Sequence, residues 1–217
     1  MRSASDRLLV AVSAAAAVLL PGGARAQRGS LDSTYGRLEG DVAVVVGAGA
    51  AVVDGGARAE GEVRLRYLET AGLFATYEDA AAFASSADPI RVVGLGFELR
   101  PLFLFRWLQG HEAQRPRLDL ALDSIALELG ATFGQLASGA DGVRRGLEVG
   151  LGLELPLLQR ASGPWIGVRG AVRWSDDALG SGALTKPDDR QAVLTVTLAW
   201  HQLFAAHIID VGDEAPR

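Results

Sequence analysis

Residues 146–155 read GLEVGLGLEL, and this stretch decides the fold. Leucine or valine occupies every odd position, whereas glycine or glutamate occupies every even position. Successive side chains of a β-strand point to opposite faces of the sheet. The stretch therefore predicts a strand with one purely aliphatic face and one face of glycine and carboxylate.

The same alternation recurs in seven further segments of the chain. They are residues 37–53, 60–67, 71–78, 91–100, 124–134, 166–174 and 194–204. None of them has apolar residues at the i, i+3, i+4 spacing that marks an amphipathic helix. The pattern therefore predicts eight β-strands, of which 71–78 is the weakest.

Glycine indicates which face of these strands is buried. A soluble barrel or sandwich turns its aliphatic face inward, whereas a transmembrane barrel turns it toward lipid and lines its interior with polar side chains. Glycine weakens a strand that faces water, but inside a narrow barrel it leaves room for long charged side chains opposite. We therefore predict an all-β fold, an antiparallel up-and-down transmembrane β-barrel of about eight strands over residues 36–204.

The inward faces of this barrel would carry a network of charged side chains. Its predicted members are Glu39, Asp41, Glu60, Glu62, Arg64, Arg66, Glu98, Arg100, Glu128, Glu148, Glu154, Arg169 and Arg173. An eight-stranded barrel is just wide enough inside to be filled by side chains, and buried charges are tolerated only when paired. We expect a plug of ion pairs. The alternative is a narrow, gated pore with a slight preference for cations, because acidic residues outnumber basic ones in this set.

The first 26 residues have the features of a secretory signal peptide. Basic residues precede an apolar run from Leu8 to Leu20, and the segment ends in the small-x-small cleavage site Ala24-Arg25-Ala26. An uncleaved N-terminal anchor is the alternative. With cleavage, the chain divides into a signal peptide (1–26), a periplasmic segment (27–35), the barrel (36–204) and a periplasmic tail (205–217).

Charge and cysteine content exclude several classes of protein. The net charge is −5 at pH 7, which argues against a nucleic-acid partner because such partners require a basic surface. The chain has no cysteine, so it cannot carry a lipoprotein anchor, a disulfide or a thiolate metal site. We predict no cofactor and no metal.

The connection at 101–123 is too long for a periplasmic turn, and two interpretations of it remain open. Its first part, Leu102 to Leu108, is apolar and aromatic and would lie along the membrane interface. Alternatively, 117–123 extends the fifth strand through a bulge near Asp123-Ser124, where the parity of the apolar residues changes. The second interpretation leaves a count of ten strands open.

This layout resembles the small outer-membrane β-barrel family of Gram-negative bacteria over residues 36–204. Family members end on an aromatic residue that the barrel assembly machinery recognises; Trp200 and Phe204 on the last strand are similar, although the chain continues beyond them. The resemblance implies export to the cell outer membrane. It implies as partners the outer-membrane lipid, lipopolysaccharide and the assembly machinery.

Some barrels of this size are lipid A deacylases with a His-x-Ser motif. This chain has three histidines and none is followed by serine two residues on, so no catalytic residue is predicted. The acidic pairs Asp176-Asp177 and Asp188-Asp189 are interpreted as solvated loop residues. We predict a non-enzymatic barrel with a structural or surface-loop role, with a pore or a lipid A-modifying enzyme as alternatives.

Overall fold

The computed structural model describes residues 40–83, 87–109, 113, 115–136, 143–175 and 190–206. The strands are β1 (Val42–Val53), β2 (Gly56–Tyr67), β3 (Ala71–Asp79), β4 (Arg91–Leu99), β5 (Ala126–Gln135), β6 (Val143–Pro156), β7 (Gly163–Ser175) and β8 (Arg190–Phe204). Each strand pairs antiparallel with its neighbours in sequence, and β1 pairs with β8 to close the barrel. The predicted up-and-down, eight-stranded fold is confirmed.

The strands are staggered around the barrel. Following cross-strand partners from Val46 through β2 to β7 leads to Arg190 on β8. Val46 itself pairs directly with Trp200, ten residues farther along β8. Such a stagger means that the strands tilt against the barrel axis, and with eight strands the interior is wide enough for side chains only.

The two shortest connections use left-handed backbone. Asp54-Gly55 joins β1 to β2, with Gly55 at φ 92°, as expected for an Asp-Gly hairpin. The turn from β2 to β3 instead places Leu68 and Glu69 at φ 47° and 54°, a conformation that L-residues adopt at a cost. That strained turn directs the Glu69 carboxylate into the mouth of the barrel, where it binds Arg100.

The two faces of each strand differ in accessibility as the alternation predicts. The aliphatic side chains point outward, and Leu151 and Leu198 are 55% and 61% exposed. The intervening charged side chains, such as Glu148 and Arg169, are buried inside the barrel. An apolar exterior around a charged interior is the arrangement of a transmembrane β-barrel.

The long connection after β4 is helical. It forms α1 (Pro101–Gln109) and α2 (Pro116–Asp123). Both helices lie at the end of the barrel where β1 begins and β8 ends. The alternative extension of the fifth strand through 117–123 is therefore wrong. Pro116 begins α2 at a position where its missing N–H is harmless, and Asp119, Leu120 and Asp123 form its buried face. The change of parity at Asp123-Ser124 marks the end of a helix, not a bulge.

Helix α2 is bonded to the rim of the barrel. The Ser124 hydroxyl accepts a hydrogen bond from the backbone N–H of Glu154 at 2.8 Å. This bond continues the contact with β6 on the residue side that precedes β5. Arg117 donates to the carbonyl of Leu157 in the β6–β7 turn at 3.2 Å. The two helices thus form a cap over this mouth of the barrel, which we call the helical cap (101–123).

The predicted signal peptide, the segment 27–35 and residues 207–217 of the predicted tail lie outside the described residues. Within the described ranges, no helix is long and apolar enough to cross a bilayer.

Candidate functional site: the charged barrel interior

The interior holds a continuous chain of ion pairs, which begins at the mouth opposite the helical cap. Arg58 at the start of β2 donates to Glu78 at the end of β3, at 3.0 Å. Glu78 also binds Arg173 on β7, at 3.0 Å through one oxygen. Arg173 in turn binds Glu148 on the adjacent strand β6. Arg58 and Glu78 are fully buried, so the chain begins away from solvent.

The chain continues through Arg169 in the middle of the barrel. Its Nη1 donates to Glu148 at 2.7 Å and reaches Glu128 on β5 at 3.4 Å. Its Nη2 donates to Glu60 on β2 at 3.2 Å, across the barrel. The Arg169 guanidinium therefore binds carboxylates from three strands, β2, β5 and β6, as its planar set of donors allows.

Arg64 is the next cation along the chain and also has three carboxylate partners. Its Nη1 lies 2.5 Å from Glu128 and 2.6 Å from Glu98, and its Nε lies 2.8 Å from Glu62. Glu62 accepts a further hydrogen bond from the Thr197 hydroxyl at 2.8 Å. Glu128 is thus shared between Arg169 and Arg64.

The chain ends beneath the helical cap. Arg66 binds Glu98 through its Nε and Glu154 through its Nη2, the latter at 2.9 Å. Arg100 binds the same Glu154 and also Glu69, at 2.5 Å. Successive arginines from Arg58 to Arg100 are therefore each bridged by one glutamate. We call this set the ion-pair chain.

The structure places eleven of the thirteen predicted network residues in the ion-pair chain or on its branches. They are Glu60, Glu62, Arg64, Arg66, Glu98, Arg100, Glu128, Glu148, Glu154, Arg169 and Arg173, all of them buried. Asp41 differs: it is half-buried before β1, and its carboxylate accepts from the backbone N–H of Ala206. Glu39 lies outside the described residues.

Sequence reasoning missed three members of the interior: Arg58, Glu69 and Glu78. Arg58 lies just before the predicted strand 60–67 but has the same parity as Glu60, and Glu78 ends 71–78, the predicted strand with the weakest pattern. Extending the alternation of 60–67 outward would have found Arg58, and Glu78 already lies on the polar face of 71–78. Glu69 lies in a turn and carried no such signal, because its inward direction depends on a left-handed backbone.

Inward-facing glycines make room for this packing. A Cβ on Gly72 would lie 3.0 Å from Arg66 Cγ and 3.0 Å from Glu98 Oε1. A Cβ on Gly96 would lie 2.6 Å from the ring of Phe74, an inward side chain of β3 that packs under the Arg64 guanidinium. These glycines thus make room for the bulky side chains that are paired with them on the adjacent strands.

Apolar clusters close both ends of the interior. Small residues, among them Ala51, Ala80 and Val193, close the mouth near Arg58. Leu120 of the helical cap packs at the other mouth with Trp165, whose indole stacks on His201 at 4.5 Å between ring centres. Because β7 begins at Gly163 and its odd positions face inward, the Trp165 side chain is buried inside the barrel and not on its outer surface.

Little free space remains between these groups. A cavity lined by Glu62, Arg64 and Glu154 has a volume of about 20 Å³, and another between Arg100, Trp165 and His201 is of the same size. Each has room for about one water molecule. Within the described residues, no group of three or more His, Asp or Glu side chains is arranged to hold a metal ion.

The fold and the site thus define the class of this protein: a closed antiparallel barrel with an aliphatic exterior and an ion-paired interior. No protein-family model matches the chain, and no curated protein matches it. It is similar to the crystal structure of Neisserial surface protein A, with 12% sequence identity, 73% of this chain and 94% of that chain covered, and a TM-score of 0.34. The closed eight-stranded fold follows from the strand pairing described above.

Proposed function

We propose that this chain is an integral outer-membrane β-barrel without enzymatic activity, which serves the envelope structurally or through its surface loops. The observation that carries the proposal is the inversion of polarity. Leu95, Leu129 and Leu151 are exposed around the middle of the barrel, and we call this ring of outward aliphatic side chains the aliphatic belt. The ion-pair chain fills the core. In water such a barrel would expose its aliphatic belt, whereas in a bilayer the belt is solvated by acyl chains. The signal-like segment 1–26 supports export from the cytoplasm.

Cell fractionation and gel mobility test this location. The protein is expected in the outer-membrane fraction, and in SDS the unboiled sample should migrate differently from the boiled one, because a closed barrel resists SDS until heated. Recovery of the processed protein in the periplasmic fraction without detergent would contradict the proposal.

A closed lumen is the second part of the proposal. Every described arginine of the ion-pair chain is held by at least one glutamate from another strand, and the cavities beside the chain hold about one water each. A narrow pore is the alternative. In planar bilayers we expect no steady conductance from the purified protein, and stable unitary steps at moderate voltage would favour the pore.

The outer rim fits lipopolysaccharide as the surrounding lipid. Arg145 and Arg190 are exposed and continue the outward faces of β6 and β8, at the mouth opposite the helical cap. In the strand register Arg145 lies beside Phe133 and Arg190 beside Trp174. Guanidinium groups beside aromatic rings at the edge of an apolar belt fit the level of lipid phosphates. At the other end of β8, exposed Trp200 and Phe204 would be presented to the barrel assembly machinery.

A lipopolysaccharide titration tests this contact. Replacing both arginines, in Arg145→Gln/Arg190→Gln, should weaken co-purification of lipopolysaccharide with the folded protein. Replacing the exposed Gln159 by alanine at the opposite end is the matched control. Equal retention of lipopolysaccharide by both variants would refute the assignment of the rim.

A further inference from the structure

Helix α1 of the helical cap has the same inverted polarity as the barrel. Its one charged side chain, Arg106, points inward, where it binds Asp119 and lies 3.2 Å from Asp123. Phe103 is buried beside it. A helix that lies on a protein in water normally turns its charged residues outward and its apolar residues inward.

Four large apolar side chains of α1 are exposed, with the polar Gln109 at its C-terminal end. The exposed fractions are 38% for Leu102, 43% for Leu104, 60% for Phe105 and 69% for Leu108. Leu104 and Leu108 are one turn apart and Phe105 lies beside them, so these side chains form one continuous strip. No charged residue interrupts the strip.

This strip continues the aliphatic belt of the barrel. The last outward residue of β4 before α1 is Leu99, and the first outward residue of β5 after α2 is Leu127; both are more than half exposed. The neighbouring turns at this mouth also expose apolar residues, namely Leu68, Leu157 and Leu158. Turns that face water favour Gly, Asn, Asp and Ser instead. The rim at this mouth therefore has the character of the belt, not of a water-exposed surface.

We propose that α1 is a membrane-interface helix, which lies in the adjacent leaflet between headgroups and acyl chains with Leu104, Phe105 and Leu108 among the chains. This rests on the proposed membrane location. Lipid is the occupant that the strip fits, because the strip is continuous with the lipid-facing belt and offers no polar group for a specific protein partner. A helix of nine residues is too short to bind a bilayer well by itself, but β4 leads directly into α1, and Arg106 ties α1 to α2.

Seating α1 in lipid would also hold the helical cap over the mouth. Arg106 connects the buried side of α1 to both acidic residues of α2, and α2 is bonded to the rim through Ser124 and Arg117. Lipid on the outer side and ion pairs on the inner side therefore position the same helix. The cavity beneath the cap, beside Trp165 and His201, is lined on its other side by Phe103 of α1 and Leu120 of α2.

Because the chain has no cysteine, single cysteines can be introduced and spin-labelled at chosen positions. We would label Leu104→Cys and Leu108→Cys in the full-length protein, refolded into phosphatidylcholine/phosphatidylglycerol vesicles. Leu129→Cys in the belt is the lipid reference, and Asp54→Cys, exposed in the β1–β2 hairpin at the opposite mouth, is the water reference. Collision with oxygen, which is enriched in lipid, is compared with collision with a water-soluble nickel chelate.

We expect labels at 104 and 108 to collide preferentially with oxygen, like the label at 129, and the label at 54 to prefer nickel. Preference for nickel at 104 and 108, with 129 still in lipid, overturns the interface helix and leaves the membrane barrel standing. Protection from both reagents indicates a protein on the strip and also overturns the proposal. Nickel preference at 129 as well refutes the proposed location itself. Retention of heat-modifiable mobility verifies folding, and Phe105→Cys replaces any variant that fails this check.

Discussion

Glutamate outnumbers arginine inside the barrel. The described interior holds eight glutamates, which are Glu60, Glu62, Glu69, Glu78, Glu98, Glu128, Glu148 and Glu154. It holds six arginines, which are Arg58, Arg64, Arg66, Arg100, Arg169 and Arg173. Since several carboxylates share each cation, loss of one arginine strands more charge than loss of one glutamate.

Arg64→Met should therefore destabilise the protein by about 3–5 kcal/mol, because it leaves three buried carboxylates without their common partner. Glu128→Gln should cost about 1 kcal/mol, since Arg64 keeps Glu62 and Glu98 and the amide can still accept a hydrogen bond. Urea unfolding in phospholipid vesicles, followed by tryptophan fluorescence, measures both. Equal losses for the two variants would show that the excess of carboxylates has no effect on stability.

The inward glycines are expected to be intolerant of even one methyl group. In Gly96→Ala the new Cβ would meet both Phe74 and the backbone of β5, so we expect a loss of about 1–3 kcal/mol. Gly170 faces outward with no atom near its Cβ position, and Gly170→Ala should stay within about 0.5 kcal/mol of the parent. The same unfolding assay compares them. A neutral Gly96→Ala would mean that Phe74 and β5 can move apart freely.

At the scale of elements, the helical cap and the strands are stabilised by different contacts. The strands share ladders and the ion-pair chain, whereas α1 is tied to α2 mainly through Arg106. The fully buried Asp119 also accepts from the backbone N–H groups of Ala113 and Arg115, at 2.8 and 3.0 Å. The cap can therefore loosen while the barrel stays closed.

Arg106→Met should have this local effect. We expect faster amide hydrogen exchange over 101–123 and unchanged exchange in β5 to β8, measured by mass spectrometry in vesicles. Arg117→Met, which removes only one bond to Leu157, is the matched control and should change the exchange less. Slower folding and faster exchange throughout the barrel would instead show that the cap and the strands form one cooperative unit.

For the whole molecule, the environment of the aliphatic belt separates a membrane protein from a soluble one. Leu129 lies near the middle of β5 and points outward, beside Phe97 and Val149. In a bilayer, Leu129→Arg should cost about 2–4 kcal/mol, and Val143→Arg at the end of β6 about 0–1 kcal/mol. On a water-exposed surface, both would change stability by less than about 0.5 kcal/mol. Equal and small effects in vesicles would therefore argue against the transmembrane placement.

Most of the fold could be predicted from the sequence because alternation is a local property. Each strand carries its own two-residue period. The residues that share one face can therefore be assigned without knowing which strands pair with each other. Errors arose where this signal ends. Trp165 lies before the predicted start of its strand, and the sequence of 101–123 allows two interpretations because 117–123 contains apolar residues at both spacings.

The sequence by itself determined the positions of eight strands, the polarity of their two faces and the identity of eleven buried charges. Only the tertiary structure decided which charges meet. Arg169 and Glu60, for example, are 109 residues apart and touch because the barrel closes with a stagger that brings β2 opposite β7. The inward turn of Glu69 and the apolar outer face of α1 likewise depend on the chain path between strands. Periodicity specifies the direction of a side chain within its own strand, whereas its partner depends on the stagger and closure of all eight.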